Sequence, residues 1–191
     1  MASTEAVLSE VRPHAKYDRL IARAQTVPAS TTIVVHPCDD TSLRGPVEAA
    51  EAGLVTPIFV GPAEKVRAVA QKHGLDIAKY QLVDAEHSEH AAAKGVEMIR
   101  AGQGELLMKG SLHTDELMRA VTSSSTGLRT ARRISHVFIM DVPSYPETLI
   151  VTDAAINIAP DLDVKRDIVQ NAIDLYVQIV PGTPRVAILS A

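Results

Sequence analysis

The chain alternates short β-branched and aliphatic runs with longer helical stretches, and Gly or Pro marks most of the changeovers. Thr31-Thr32-Ile33-Val34-Val35 is one such run, and it stops at His36-Pro37. Proline cannot donate to the ladder of a central strand, so the strand has to end there. The same pattern predicts further strands at 57–60, 80–83, 105–108, 136–141 and 148–152. It predicts helices at 42–51, 63–73, 88–101, about 114–121 and 164–179, with Gly53, Gly74 and Gly102 at three of the stops. The last two strands are joined through Pro143-Ser144-Tyr145-Pro146, a connection short enough for an antiparallel hairpin. Residues 185–189 form a final apolar run that reads as one more strand. A strand-like run at that place predicts a carboxyl-terminal continuation, or else pairing at a sheet edge or across a dimer.

Repeated strand–helix alternation specifies an α/β fold, a three-layer αβα arrangement around a mostly parallel sheet. Apolar residues are 46% of the chain but aromatics only 3%, with no Trp. The core is therefore built from Ala, Val, Ile and Leu, which suits strands buried on both faces. A net charge of −4 argues against generic nucleic-acid binding, which needs a basic face. Cys38 is the only cysteine, so no internal disulfide can form and a reducing compartment is expected. Residues 1–16 hold no apolar run of the signal-peptide kind, and no stretch approaches the ~20 apolar residues of a spanning helix. The expected location is the cytoplasm, with no membrane partner.

Right-handed crossovers bring the strand ends to one edge of such a sheet, and ligands bind beside those carboxyl ends. That directs attention to residues 36–44, 109–114 and 141–145. Met108-Lys109-Gly110-Ser111-Leu112-His113-Thr114 runs from a strand end into a helix. Gly110 admits close backbone approach, Ser111 or Thr114 can cap the helix, and the helix amino end together with Lys109 favours an anion. The segment is either a phosphate site or a capped turn with incidental charge. Arg119, Arg129, Arg132 and Arg133 flank three consecutive serines, and guanidinium groups bind phosphate oxygens in pairs. The other reading is a solvated basic loop whose arginines do not converge.

Asp84, Glu86, His87 and His90 invite a metal, yet nothing at a suitable spacing completes a ligand set, and acids at a helix start have a dipole explanation. No metal is expected. Cys38 stands beside Asp39 and Asp40, the reverse of the positive setting a nucleophilic thiol needs. Asp153 and Asn157 can hold a substrate or a general-base proton, or they can bond the neighbouring backbone and fix the turn before Pro160.

Several motifs fall in a specific order: Lys109-Gly110-Ser111-Leu112-His113-Thr114, Gly127-Leu128-Arg129-Thr130, and Arg133-Ile134-Ser135-His136-Val137-Phe138. Thr152-Asp153-Ala154-Ala155-Ile156-Asn157-Ile158-Ala159-Pro160, Asp167-Ile168-Val169-Gln170-Asn171-Ala172 and Pro184-Arg185-Val186-Ala187-Ile188-Leu189-Ser190 follow. Together they resemble the phosphate acetyl/butyryltransferase family from about Tyr17 onward. The phrasing is nearer to the butyryl branch, or to acyltransferase modules fused to an enoyl-CoA hydratase.

The resemblance implies reversible acyl transfer between coenzyme A and inorganic phosphate. The partners would be coenzyme A or acyl-CoA and phosphate or acyl phosphate. Coenzyme A would act as a substrate, with no tightly bound cofactor and no covalent acyl-enzyme. It also implies two α/β domains of isocitrate-dehydrogenase type around a cleft, and a homodimer. By motif position, His113 and Thr114 face the cleft and Arg119 meets a substrate or coenzyme A phosphate, with Lys109 and Ser111 beside them in substrate binding. Arg129, Arg133, Asp153 and Asn157 are secondary candidates. The family's Ser-Arg pair and Asp base have no matching segment here, so the catalytic groups stay unassigned. Residues 1–16 are expected as an extension, 17–163 as the first α/β domain, and 164–191 as the start of an incomplete second one. The expected function is that of a phosphate acyltransferase. The alternative is a catalytically incomplete fragment that binds coenzyme A or phosphate, or that dimerises. Acyl-chain length is announced by no motif, since a methylene is discriminated by pocket shape.

Overall fold

The computed structural model describes residues 14–189. Residues 1–13 of the expected extension, and Ser190-Ala191 at the end of the final apolar run, lie outside the described residues. The chain divides into two compact units, one continuous (Gln25–Arg129) and one that joins the chain up to Ala24 with the part from Thr130 onward. No helix among the described residues is long and apolar enough to cross a membrane.

In chain order the elements are α1 (Ala15–Ala24), β1 (Ser30–Val35), α2 (Asp40–Glu51), β2 (Val55–Gly61), α3 (Ala63–His73) and β3 (Gln81–Asp84). There follow α4 (Ser88–Arg100), β4 (Leu106–Lys109), α5 (Thr114–Val121), β5 (Val137–Met140), β6 (Leu149–Thr152) and α6 (Leu162–Ile179). The continuous unit carries a four-stranded parallel sheet in the order β3-β2-β1-β4. Side chains alternate across it as the strand period requires. Ile33, Val35 and Val60 pack with Ala91, Ala92 and Met98 of α4 and Leu117 of α5. Val34 and Phe59 point the other way, onto Leu43 and Val47 of α2 and Val66 and Ala70 of α3. The expected three layers are present in this unit. Full burial of each such aliphatic or aromatic side chain is worth about 1.5–3 kcal/mol, and Ile33, Val34, Val35, Phe59 and Val60 have no exposed surface. On the first face α4 rides close to the sheet, where a Cβ at Gly95 would stand 2.8 Å from Cγ2 of Val35.

The chain steps outward from β1 to β2 to β3, then returns to the opposite side of β1 for β4. That reversal makes the β1/β4 carboxyl ends a topological switch point, where open α/β sheets bind ligands.

The discontinuous unit contains α1, α6 and the hairpin of β5 and β6, whose antiparallel register pairs Phe138 with Val151 and Met140 with Leu149. The hairpin matches expectation. α6 lies against β6 and buries Ile168. Phe138, Met140, Leu149 and Val151 share the other face of the hairpin and remain 49, 38, 39 and 41% exposed. Lys16 of α1 is only 6% exposed; its ammonium donates to the carbonyl of Val142 and, at 2.7 Å, to that of Tyr145, with Asp141 Oδ1 at 3.6 Å. α1 therefore fastens the turn that follows β5.

Three features depart from the sequence reading. The helix α1 is absent from it, although Tyr17, Leu20, Ile21 and Ala24 recur at helical spacing. α2 and α6 begin two residues earlier than expected, because Asp39 and Asp161 are the N-caps and accept from the amides of Ser42 and Val164 at 2.8 and 2.9 Å. Residues 185–189 are not a strand: among the described residues no ladder partner satisfies their backbone, and Ile188 and Leu189 are 77 and 91% exposed.

Candidate functional site

The β1/β4 switch point is assembled from backbone before any side chain is added. His36 follows β1 with φ of 54°, a left-handed conformation uncommon outside glycine. Its N–H donates to Val60 O at 2.7 Å, and its turned carbonyl accepts from the amides of Cys38 and Ser111, each at 2.9 Å. The Ser111 hydroxyl donates to the same oxygen at 2.9 Å and accepts from the amide of Cys38 at 3.1 Å. His36 Nδ1 stands 3.4 Å from that hydroxyl. Gly110 donates to Val35 O at 2.8 Å and lies against the same backbone. A Cβ at Gly110 would fall 2.4 Å from that oxygen and 2.6 Å from His36 O, so only glycine fits.

Charges of both signs surround this frame, Lys65 and Lys109 with Asp39 and Glu116. Lys109 is exposed, and its ammonium reaches the Gly110 carbonyl at 3.2 Å. Burial, and then the charge of Lys65 at the start of α3, hold the His36 imidazole below its usual pKa, so it is neutral near pH 7. Burial raises the Cys38 pKa, against a smaller opposing effect of Lys65, and the side chain stays a thiol with 8% exposure. Asp39 is held below the ordinary carboxylate range by the amide and hydroxyl of Ser42, which make it a helix cap.

The segment 109–114 then enters α5. The expectation that Ser111 or Thr114 would cap this helix is not met, because His113 is the N-cap residue and the Ser111 hydroxyl is committed to the β1 loop. Glu116 accepts from the His113 amide at 3.0 Å through Oε2, and from the Ser88 hydroxyl of α4 at 3.0 Å through Oε1. His113 and Thr114 are exposed at the helix start, while Leu112 is buried beneath them. Arg119 is in the second turn of α5, 68% exposed, and paired with Glu89 at 3.2 Å and Asp115 at 3.6 Å. His87 is the N-cap of α4, its Nδ1 accepting from the His90 amide at 3.2 Å.

The remaining candidates belong to the other unit, apart from Arg129, which is exposed at the end of the continuous one. Asp153 Oδ1 accepts from the amides of His136, Ala155 and Ile156, each at 3.1 Å, and Oδ2 from Asn157 through its amide at 3.0 Å and its side chain. Desolvation, the largest single influence, pushes this carboxyl up, but the donors from Ala155, Asn157, Ile156 and His136 together outweigh it. They hold its pKa at about 2. Asn157 also donates to Ile134 O at 3.0 Å and accepts from Arg133 Nε at 3.4 Å. The Arg133 backbone is fixed to α6, donating to Asp167 at 2.8 Å and accepting from Asn171 at 2.9 Å. Arg132 pairs with Asp174 of the same helix. His36 opens the 36–44 segment to which the strand ends pointed, whereas Lys65 is a group near it that the sequence reading did not single out. The signal for Lys65 is topological, because it follows β2, the parallel neighbour of β1.

A model of the family described as Phosphate acetyl/butaryl transferase matches residues 86–191. A phosphate acetyltransferase of Rhizobium meliloti is 66% identical over 176 residues, covering 92% of this chain and 56% of that protein. A phosphate butyryltransferase of Clostridium beijerinckii is 31% identical over 171 residues, covering 90% and 57%. The higher identity is thus to an acetyltransferase rather than to the butyryl branch that the motif phrasing suggests. The crystal structure of a phosphotransacetylase from Streptococcus pyogenes shares the fold, with a TM-score of 0.72 at 18% identity over 86% of this chain and 58% of the other. The chain spans about half the length of the curated relatives it matches.

Proposed function

Given that this chain belongs to the phosphate acetyl/butyryl transferase family, we propose that it takes part in reversible acyl transfer between coenzyme A and inorganic phosphate. The observation that carries this reading is the meeting of Lys109, Gly110 and the α5 amino end at the β1/β4 switch point, inside the span matched by the family. In one direction the coenzyme A thiolate attacks the acyl-phosphate carbonyl; the C–S bond forms, the C–O bond to phosphate breaks, and phosphate leaves. The reverse reaction begins with a phosphate oxygen on the thioester carbonyl and expels the thiolate. No acyl group passes to the protein. Positioning and cationic stabilisation of phosphate then supply the acceleration on this side of the site.

Lys109 and the exposed start of α5 at His113 and Thr114 receive a phosphate group, with Ser111 in the same segment. Arg119 joins them by exchanging Glu89 and Asp115 for phosphate oxygens. Asp153 holds the 153–157 turn, and Asn157 links that turn to Arg133. The protein works in the cytoplasm, in keeping with its single cysteine, and as a homodimer, for which the half-exposed apolar face of β5 and β6 is a contact surface.

A second reading rests on the switch point itself, where Lys109 and the α5 start can receive an anion while the Ser111 hydroxyl is committed to the His36 carbonyl. In that reading this polypeptide binds coenzyme A or phosphate without turning them over. Mixing the chain with coenzyme A and acetyl phosphate, while following thioester formation and titrating coenzyme A by calorimetry, separates the two. Turnover supports the transferase, binding without turnover supports the second reading, and neither binding nor turnover overturns both.

A further inference from the structure

We propose that His36 and Ser111 are positioning residues, a latch between the β1 and β4 loops that holds segment 109–114 in its ligand-receiving shape. The consequence for binding rests on the phosphate-binding reading above, whereas the conformational part stands on the geometry alone.

The latch is built around one carbonyl. Left-handed φ at His36 turns its C=O toward β4, where it accepts from Cys38 N–H, Ser111 N–H and the Ser111 hydroxyl. The hydroxyl also accepts the Cys38 amide at 3.1 Å. Its one proton and one of its lone pairs are committed to the latch, so Ser111 in this state donates nothing to a ligand. A non-glycine residue in this conformation is strained and persists only where its surroundings over-determine it. Here the surroundings are the three donors and the Val60 bond to His36 N–H.

The other end of the segment is held independently. Glu116 fixes the His113 amide and is itself held by Ser88 of α4. Between the two anchors, Leu112 is buried at 5% exposure. Lys109 and the exposed start of α5 are thus presented by a segment secured at both ends. That is the arrangement in which a ligand loses little affinity to ordering its site.

The test compares four variants of the full chain: Ser111→Ala, Ser111→Thr, His36→Gly and His36→Val. Hydrogen exchange at residues 109–113 is read without ligand, coenzyme A affinity by calorimetry, and melting temperature alongside. Ser111→Ala is expected to speed exchange at 110–113 while β1 and β2 stay protected, and to weaken coenzyme A about tenfold, since small misplacements of positioning groups carry large penalties. Ser111→Thr keeps the hydroxyl and restores both. His36→Gly keeps the left-handed backbone and binds within about twofold of the parent, whereas the β-branched His36→Val behaves like Ser111→Ala. Unchanged exchange in Ser111→Ala overturns the latch. Faster exchange with unchanged affinity overturns its role in binding. If the parent chain binds no coenzyme A, the phosphate reading fails by itself, and exchange still decides the latch.

Discussion

Gly110 and Val35 approach so closely that a Cβ on the glycine would stand 2.4 Å from the valine carbonyl oxygen. The contact is to backbone, so no rotamer change can relieve it. Gly110→Ala is expected to destabilise the continuous unit by about 3 kcal/mol, through displacement of β4 from β1. A thermal melt should show a drop of 10 °C or more, at roughly 4–8 °C per kcal/mol for a unit of this size. A melt within 2 °C of the parent would contradict the geometry.

Acid should act on the other unit through Asp153. Its folded pKa of about 2 lies below the ordinary 3.8, so the folded state binds its proton more weakly than the unfolded chain. The stability it contributes is present above pH 4 and is lost as pH falls through the window from about 4 to 2. In Asp153→Asn that share of the acid sensitivity disappears. Stability at pH 7 falls by about 3 kcal/mol, because an amide presents N–H where amides already point. Circular dichroism from pH 7 to pH 2 on both proteins reads the difference.

How much of this was legible in the sequence depends on how far apart the partners lie. The helix 63–73 is read to the residue because its face and its Gly74 stop are local. The Ser111 hydroxyl is not, since its acceptor is the His36 carbonyl 75 positions away, in a loop that only the strand order brings alongside. The run at 185–189 misleads for the converse reason. It has strand-like residues, but a strand also needs a neighbour's backbone, and local pattern contains no information about one.

Lys16→Met tests the clasp on the hairpin. Methionine fills a similar volume but leaves the carbonyls of Val142 and Tyr145 without the ammonium that they share. The expected cost is about 1.5–3 kcal/mol, the usual worth of hydrogen bonds to a charged group. Hydrogen exchange should quicken across residues 137–152 and leave residues 30–61 unaffected.

Arg119→Ala should separate binding from stability. Its pairs with Glu89 and Asp115 are solvent-exposed, and such pairs are worth about 0–1 kcal/mol. The melting temperature should hardly move, while coenzyme A or phosphate affinity falls about tenfold or more with the loss of a charged hydrogen-bond donor. Equal affinity in parent and variant would remove Arg119 from the site.

The bond from Lys16 to Val142 spans 126 residues, and this separation sets an order of events during synthesis. At about 5–20 residues per second, the ribosome needs roughly 6–25 s after adding Lys16 before its partner carbonyl exists. α1 has ten residues, fewer than the ~12–15 below which isolated helices are marginal in water. Through that interval it has no tertiary face to hold its shape. The first helix among the described residues is accordingly among the last to become a helix in time, waiting on a turn that the ribosome has not yet made.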